Sequence, residues 1–126
     1  MYEMTATRRA RRVRARPAPS SDGMLLDLLV EALPLLRSGL TAASADGLAE
    51  LLMRRLDLDA VSIVDAERVL GRRGAGSDHH HVGDAHRTAL THRVLAGGKA
   101  GVARGARAIG CPLPKCPLTA AIVAPL

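Results

Sequence analysis

The chain changes from helical to strand-like sequence patterns near Asp57, and this change limits the folds that it can adopt. Before that residue, apolar side chains recur at helical spacing over Met24–Arg37 and again over Ser44–Leu56. After it, the apolar segments are short and rich in β-branched residues, as strands are. The predicted strands are Ala60–Val64, Arg68–Arg72, Lys99–Arg104 and Ala120–Pro125. With a third helix over Asp84–Ala96, this order predicts an α+β fold in which helices flank an antiparallel sheet.

The predicted elements also carry expectations about caps and burial. Apolar residues cover nearly every face of the first helix, so we expect it to be buried on more than one side. Ser44 and Asp84 stand at the starts of the second and third helices and are the expected N-caps. The last predicted strand ends close to the end of the sequence, so we expect unpaired strand neighbours and, with them, self-association.

The core has to be built from aliphatic side chains. The sequence contains no Phe or Trp and one Tyr, at position 2, so Leu, Val and Ala must fill the interior. Without aromatic rings, the folded part lacks the side chains that stack on nucleic-acid bases or enclose quaternary ammonium groups.

The positive charge is concentrated at the amino terminus. The net charge is +6, and residues 1–16 contribute six arginines against Glu3. The remainder is therefore nearly neutral, which argues against sequence-specific nucleic-acid recognition by the folded part. We interpret residues 1–23 as a disordered Arg-rich arm and linker, and residues 24–126 as one domain. The alternatives for residues 1–16 are a solvated tail, weak contact with anionic lipid headgroups, and a nucleic-acid-binding arm.

Nothing in the sequence predicts membrane insertion or secretion. The main apolar run, over residues 24–36, is interrupted by Asp27, Glu31 and Pro34 and falls short of the roughly 20 residues of a membrane-spanning helix. The Arg-rich start is not followed by the apolar segment of a secretory signal. Two cysteines are too few for a secreted disulfide framework. We therefore expect a cytoplasmic protein.

Two unusual loops hold both cysteines and three of the five histidines: GAGSDHHH, residues 74–81, and IGCPLPKCPL, residues 109–118. The candidate site residues are Ser77, Asp78, His79, His80, Cys111 and Cys116. A hairpin end and a strand-connecting loop at the same rim of a sheet can face each other, so we expect one small-molecule pocket with no cofactor. The alternatives are two structural turns, or a site for zinc or iron. The metal ligands would be His79, His80, Cys111 and Cys116.

The same residues do not form a recognisable catalytic motif. Ser77, Asp78 and His79 are contiguous, whereas a catalytic triad brings together residues from separate segments. A nucleophile elbow needs a glycine two residues after its serine, and a phosphate-binding loop needs Gly-Lys-Ser/Thr after its glycines. Neither pattern is found here. We therefore predict that the chain is not an enzyme by itself.

The segment DAVSIVDAERVLGRRGAGSDHH and the later IGCPLPKCPLTAAIVAPL resemble, in this order, the GAF domain of LytS-type sensor histidine kinases of bacteria. The resemblance covers about residues 24–126. It implies a cytoplasmic regulatory domain with a six-stranded antiparallel sheet between helices, which binds a small ligand or relays conformational change in two-component signalling. His81 is an addition to the usual histidine pair, so we expect no site role for it.

The sequence also departs from this family. The family pattern continues after AAIVAPL with further strands, a closing helix, a phospho-accepting histidine segment and an ATP-binding domain, which do not follow here. We therefore expect a GAF-like domain that lacks its last strands and closing helix, and that self-associates or acts with a histidine kinase partner. The alternative function is a small Cys/His metal-binding or redox-responsive module.

Overall fold

The computed structural model describes residues 2–4, 21–76, 79–85 and 88–125. Its helices are α1 (Ser21–Leu36), α2 (Ala42–Arg55), α3 (Ala89–Gly97) and the short α4 (Ala106–Ile109). Its strands are β1 (Tyr2–Met4), β2 (Ala60–Val64), β3 (Val69–Gly74), β4 (Gly101–Arg104) and β5 (Ala120–Ala124). These elements form an α+β fold around an antiparallel sheet, which confirms the predicted fold class.

The sheet has the strand order β3-β2-β1-β5-β4, and every neighbouring pair is antiparallel. β1 therefore lies at the centre of the sheet, although it comes first in the sequence. Tyr2 is the register partner of Ile63 in β2 on one side and of Ala124 in β5 on the other. Because β2 and β5 both run antiparallel to β1, they run in the same direction and start at the same end of the sheet.

The strand register places α2 and α3 on opposite faces of the sheet. Glu3 is the register partner of both Ser62 and Val123, so these two residues share a face. Val123 packs in one hydrophobic cluster with Leu90 of α3. Ile63, which follows Ser62 and so points to the other face, packs in a second cluster with the buried side chains of α2.

The interior therefore consists of two hydrophobic clusters, one on each face. One cluster joins α1, α2, β2 and β3, and we call these elements the first half. The other cluster joins α3, α4, β4 and β5, and we call these the second half. Among the helices and strands that the structure describes, β1 is the one in extensive contact with both halves.

Local contacts explain how α2 begins and how closely it packs on β3. The Thr41 side chain accepts the backbone N–H of Ser44, and Ser44 Oγ accepts the backbone N–H of Thr41. This reciprocal pair is a capping box, so Thr41 is the N-cap and the prediction of Ser44 as N-cap is wrong. A Cβ atom on Gly71 would lie 2.5 Å from the carbonyl carbon of Ala45, so β3 can approach α2 this closely only with glycine at that position.

α3 begins at Ala89, and not at Asp84 as predicted. Its N-cap is Thr88, whose hydroxyl accepts the backbone N–H of Thr91 at 3.1 Å. The Asp84 carboxylate instead accepts the backbone N–H of His81 at 2.9 Å and closes a turn. Asp and Thr are both favourable N-cap residues, so the sequence did not separate the two starts.

The structure differs from the predicted disordered arm at both ends of residues 1–23. Tyr2–Met4 form the central strand, and residues 21–23 form the start of α1. Residues 1 and 5–20 of the arm lie outside the described residues.

Because β5 is paired with β1 as well as β4, the expectation that the last strand has unpaired neighbours is wrong. The described part of the chain contributes five strands to the sheet, where the resemblance implied six.

The prediction that α1 is buried on more than one side is also wrong. Ala32 is its buried residue, and Leu28 and Leu35 are partly buried against the first cluster. Large apolar side chains on the rest of the helix are between 38% and 67% exposed. These residues, called here the α1 stripe, are Leu25, Leu26, Leu29, Val30, Leu33 and Leu36. A contiguous exposed apolar surface is typical of an interaction site, which favours the expected self-association.

We predict that the chain self-associates through the α1 stripe. Leu26, Leu29, Leu33 and Leu36 alternate in spacings of three and four, as the seam of a helical pair does. The double change Leu26→Gln and Leu33→Gln should lower the molar mass measured by light scattering. The free energy of unfolding per chain should change by about 0.5 kcal/mol or less, because these side chains are 63% and 61% exposed.

Asp27→Asn on the same helix is the control for this double change, and it should leave the molar mass as it is in the wild type. A wild-type chain that stays monomeric at every concentration tested would contradict the prediction.

Candidate functional site

The two unusual loops meet in the structure, as their place at one rim of the sheet predicts. They bring together four side chains, called here the His/Cys cluster: His79, His80, Cys111 and Cys116. One nitrogen or sulfur atom from each lies within 4.8 Å of the corresponding atoms of the others. His79 Nε2 is 3.2 Å from Cys111 Sγ. His80 Nε2 is 3.9 Å from Cys111 Sγ and 3.6 Å from Cys116 Sγ.

The histidine loop leaves β3 through a tight turn at Gly76. This glycine has a φ of +77°, a left-handed conformation that glycine adopts with little strain. Its carbonyl accepts the backbone N–H groups of both His79 and His80, each at 2.9 Å. Further along, Gly83 donates its backbone N–H to the carbonyl of Val69. The loop is therefore fixed at both ends, which holds the two histidine rings edge to face with their centroids 4.8 Å apart.

The cysteine loop connects α4 to β5 and is anchored in the second half. Gly110 ends α4, and its carbonyl accepts the backbone N–H of Ala89 at the start of α3, at 2.9 Å. Cys111 follows directly, and three prolines restrict the backbone of the following segment. Cys116 packs against the second hydrophobic cluster, which also contains the buried Leu118. The cysteine loop is therefore tied to α3 beside Cys111 and to the second cluster at Cys116.

The His/Cys cluster connects the two halves of the molecule. Its histidines follow the end of β3 in the first half, and its cysteines precede the start of β5 in the second half. Gly74 at the end of β3 pairs with Ala60 at the start of β2. Since β2 and β5 start at the same end of the sheet, the two loops emerge at that end and close over it.

Arg72 fixes the backbone from which the histidine loop leaves. It is buried, and its guanidinium donates to Ser62 Oγ at 2.5 Å and to the carbonyl of Ala75. Charge-assisted hydrogen bonds of this kind are stronger than neutral ones, so Arg72 holds the turn at Gly76 against β2. Sequence reasoning missed this residue. The signal was the alternation along β3, which turns the adjacent Arg72 and Arg73 toward opposite faces of the sheet, so that the two arginines have different surroundings.

Three further residues of the histidine loop were considered in the sequence analysis: Ser77, Asp78 and His81. Ser77 and Asp78 fall outside the described residues, so their predicted role stays a prediction. His81 is exposed and donates its backbone N–H to the Asp84 carboxylate. It is not among the four clustered side chains.

The chemistry of the cluster suits a soft or borderline metal ion. His80 is 8% exposed, the other three residues are half-buried, and neither cysteine forms a disulfide bond. Thiolate sulfur and imidazole nitrogen are the ligands that zinc and iron take from proteins. In the absence of an ion, the same groups can form a network of weak hydrogen bonds.

The chain is similar to part of bacterial sensor proteins of the histidine kinase class. It is 40% identical to the Sensor protein LytS of Streptococcus agalactiae serotype V and 42% identical to that of Staphylococcus epidermidis. It is 38% identical to the Sensor histidine kinase/phosphatase LytS of Staphylococcus aureus strain Mu50. Each match spans 102 residues, which is 81% of this chain and 17% or 18% of the relative. No protein-family model and no solved structure matches the chain.

This homology supports the LytS-type origin indicated by the sequence, and it corrects one prediction. The prediction that the chain is not an enzyme is wrong, because relatives from Staphylococcus aureus carry the name sensor histidine kinase/phosphatase, which is the name of an enzyme. That prediction considered catalytic motifs within 126 residues, whereas the chain spans 18% of the length of this longer enzyme. Within the described ranges, no helix is long and apolar enough to cross a membrane.

We predict that Gly76→Ala destabilises the histidine loop. Besides the positive φ, an added Cβ atom would lie 3.1 Å from Arg72 Nη2 and 3.2 Å from Pro117 Cγ. Gly83→Ala is the matched control, because Gly83 has a φ of +90° and no atom within 4 Å of the added Cβ. Backbone strain alone should lower the free energy of unfolding of each variant by about 1–2 kcal/mol. Gly76→Ala should lower it further, because its added Cβ atom also meets Arg72 and Pro117. Equal losses in chemical denaturation would show that the contacts at Gly76 are unimportant.

Arg72→Met should lower the free energy of unfolding by about 2–3 kcal/mol, since Ser62 Oγ and the carbonyl of Ala75 lose a charged donor. Arg73→Met is the control, because Arg73 is exposed and its ion pair with Asp46 lies at the surface, where such pairs contribute less than about 1 kcal/mol. Urea denaturation of the two variants measures both values. Similar losses would contradict the anchoring role of Arg72.

Proposed function

We propose that this chain is the regulatory segment of a two-component sensor histidine kinase, a GAF-like domain whose input site is the His/Cys cluster. The observation that carries the proposal is that the cluster takes side chains from both halves of the sheet. A ligand held there contacts both halves at once, so its binding changes how firmly they are held together. The similarity to LytS sensor proteins supports the signalling role.

The first half provides a path from the input site to an exposed surface. The histidine loop leaves from β3, β3 packs on α2, and α2 packs on α1. The α1 stripe lies on the outer side of this stack. Two packed contacts, β3 on α2 and α2 on α1, therefore connect the histidine loop to the α1 stripe. The α1 stripe is a surface suited to a second copy of the chain or to a kinase module. Such a stack of packed elements can carry a change in one site to another.

The other predicted properties fit this proposal. A regulatory segment of this kind would act in the cytoplasm and would bind no specific nucleic-acid sequence, as the near-neutral charge after residue 16 favours. Its partner would be the kinase module of the same or a neighbouring chain. Contact of the arginines within residues 8–16 with anionic lipid would place the domain near a membrane surface.

A graft into a relative tests the regulatory role. In the Sensor protein LytS of Staphylococcus epidermidis, the segment that aligns with this chain is replaced by the corresponding residues of this chain. We expect the grafted protein to autophosphorylate with ATP. Changing the cluster by His79→Ala together with Cys111→Ser should alter the autophosphorylation rate by about fivefold or more, the usual lower range of coupling between a regulatory and a catalytic site.

His81→Ala in the same graft is the matched control, since His81 neighbours the cluster without belonging to it. It should leave the autophosphorylation rate unchanged. The proposal fails if the double variant has the same rate as the control while both proteins keep the same molar mass and secondary structure. It also fails if the unmodified graft has no kinase activity.

A further inference from the structure

We infer that the His/Cys cluster is a four-coordinate site for a thiophilic divalent metal ion of the zinc class, and that the bound ion clamps the two halves of the sheet together. The inference deepens the proposed function, on which its regulatory meaning rests, because it names the class of ligand at the input site. It is carried by the distances, the burial and the charge of the cluster, and by its place between the halves.

The distances between the ligand atoms match those around a tetrahedral ion. Zinc lies about 2.3 Å from a thiolate sulfur and about 2.0–2.1 Å from an imidazole nitrogen, so tetrahedral angles put a sulfur and a nitrogen ligand about 3.6 Å apart. Three of the four nitrogen–sulfur distances in the cluster are 3.2, 3.6 and 3.9 Å, and the fourth, between His79 and Cys116, is within 4.8 Å. They bracket the separation that a central ion requires, and small rotations of the side chains suffice to reach it.

The same distances leave no room for an organic molecule between the four ligand atoms. Since these atoms all lie within 4.8 Å of one another, the space between them is that of a single ion. Adjacent residues in a loop often point in different directions, which would leave only one histidine facing the cysteines. In the structure the His79 and His80 rings are inclined by 75°, and Nε2 of each approaches a cysteine sulfur.

Charge and burial favour a divalent cation at this position. Cysteine binds metal as thiolate and histidine as neutral imidazole, so two of each give a complex with a dication that has no net charge. Two thiolates in this half-buried place would be unfavourable without a cation, because burial penalises an unpaired charge. The protein fills all four positions of a tetrahedral ion, which is the arrangement of a structural site and leaves no open position for catalysis.

A bound ion would add a second connection between the halves. The first connection is β1, whose backbone pairs with β2 on one side and with β5 on the other over three residues at most. Bonds to the ion would join the histidine loop, which Arg72 ties to β2, to the cysteine loop, which Gly110 ties to α3. Metal binding should therefore stabilise both halves together, and not the two loops alone.

Metal titration of the full chain tests the site. The protein is purified without chelator, its metal content is measured, and the stripped protein is titrated with Zn²⁺ and with Co²⁺, whose absorption reports tetrahedral thiolate coordination. We expect about one ion per chain. Cys116→Ser and, in a separate protein, His79→Ala should weaken binding by more than about 100-fold, since even changes outside the ligand shell cost 10- to 100-fold. His81→Ala should bind as the wild type does.

Hydrogen exchange of the same proteins tests the clamp. With Zn²⁺, amides of β2 in the first half and of β5 in the second half should become protected together in the wild type and in His81→Ala. Neither ligand variant should show this joint protection. Two separate ligand variants are used because Cys116 also packs against the second cluster, so its replacement alone could act through folding.

Each outcome decides one part of the inference. Stoichiometric Zn²⁺ binding that protects only the two loops would overturn the clamp and leave the metal site in place. A wild-type chain that binds neither Zn²⁺ nor Co²⁺, or ligand variants that bind as the wild type does, would overturn the whole inference. The graft reports kinase regulation without measuring metal, so failure of the metal site can be told apart from failure of the proposed function.

Discussion

The pairing of β1 between β2 and β5 is the interaction on which the rest of the structure depends. Three residues from the start of the chain complete a sheet whose other strands come from residues 60–124. Without this ladder the two halves would share no continuous sheet, because β1 is the strand that lies between β2 and β5. Their hydrophobic clusters would not join them either, since each half has its own cluster on its own face. The meeting of the two loops follows from the same pairing. β2 and β5 start at one end of the sheet because both run antiparallel to β1.

The composition of the core makes connections between the halves important. Among the described residues, the buried apolar side chains are those of Ala, Val, Leu and Ile, and the largest that are fully buried include Ile63, Ile109 and Leu118. Small side chains remove little apolar area from water, and a domain of this size has a limited stability to begin with. Two small clusters on opposite faces divide that stability further. A link at the His/Cys cluster, as proposed above, would then have a large effect on whether the halves act as one unit.

The homology and the geometry support a signalling role in different ways. The relatives are sensor proteins much longer than this chain, and their names describe the whole proteins. The structure adds a physical arrangement that suits regulation: a cluster of soft ligands at one end of the sheet, and an exposed apolar helix on the outside of the first half. A regulatory segment needs both a site that binds and a surface that responds. In the first half the two are joined by packed secondary structure.

The sequence by itself determined most of the local elements and the side chains that form the cluster. β-branched residues between acidic turns predicted β2 at its observed bounds, and the cysteine and histidine loops identified all four members of the cluster. Only the tertiary structure decided that β1 is the central strand, that α1 stays exposed, that α3 starts after Thr88 and that the sulfur and nitrogen atoms converge. The physical reason is the distance along the chain over which each feature is set. Periodicity and capping depend on neighbours a few residues away, so the sequence reveals them. Strand partners, burial and distances across the sheet depend on segments that are far apart in the chain, and no local pattern encodes how those segments pair.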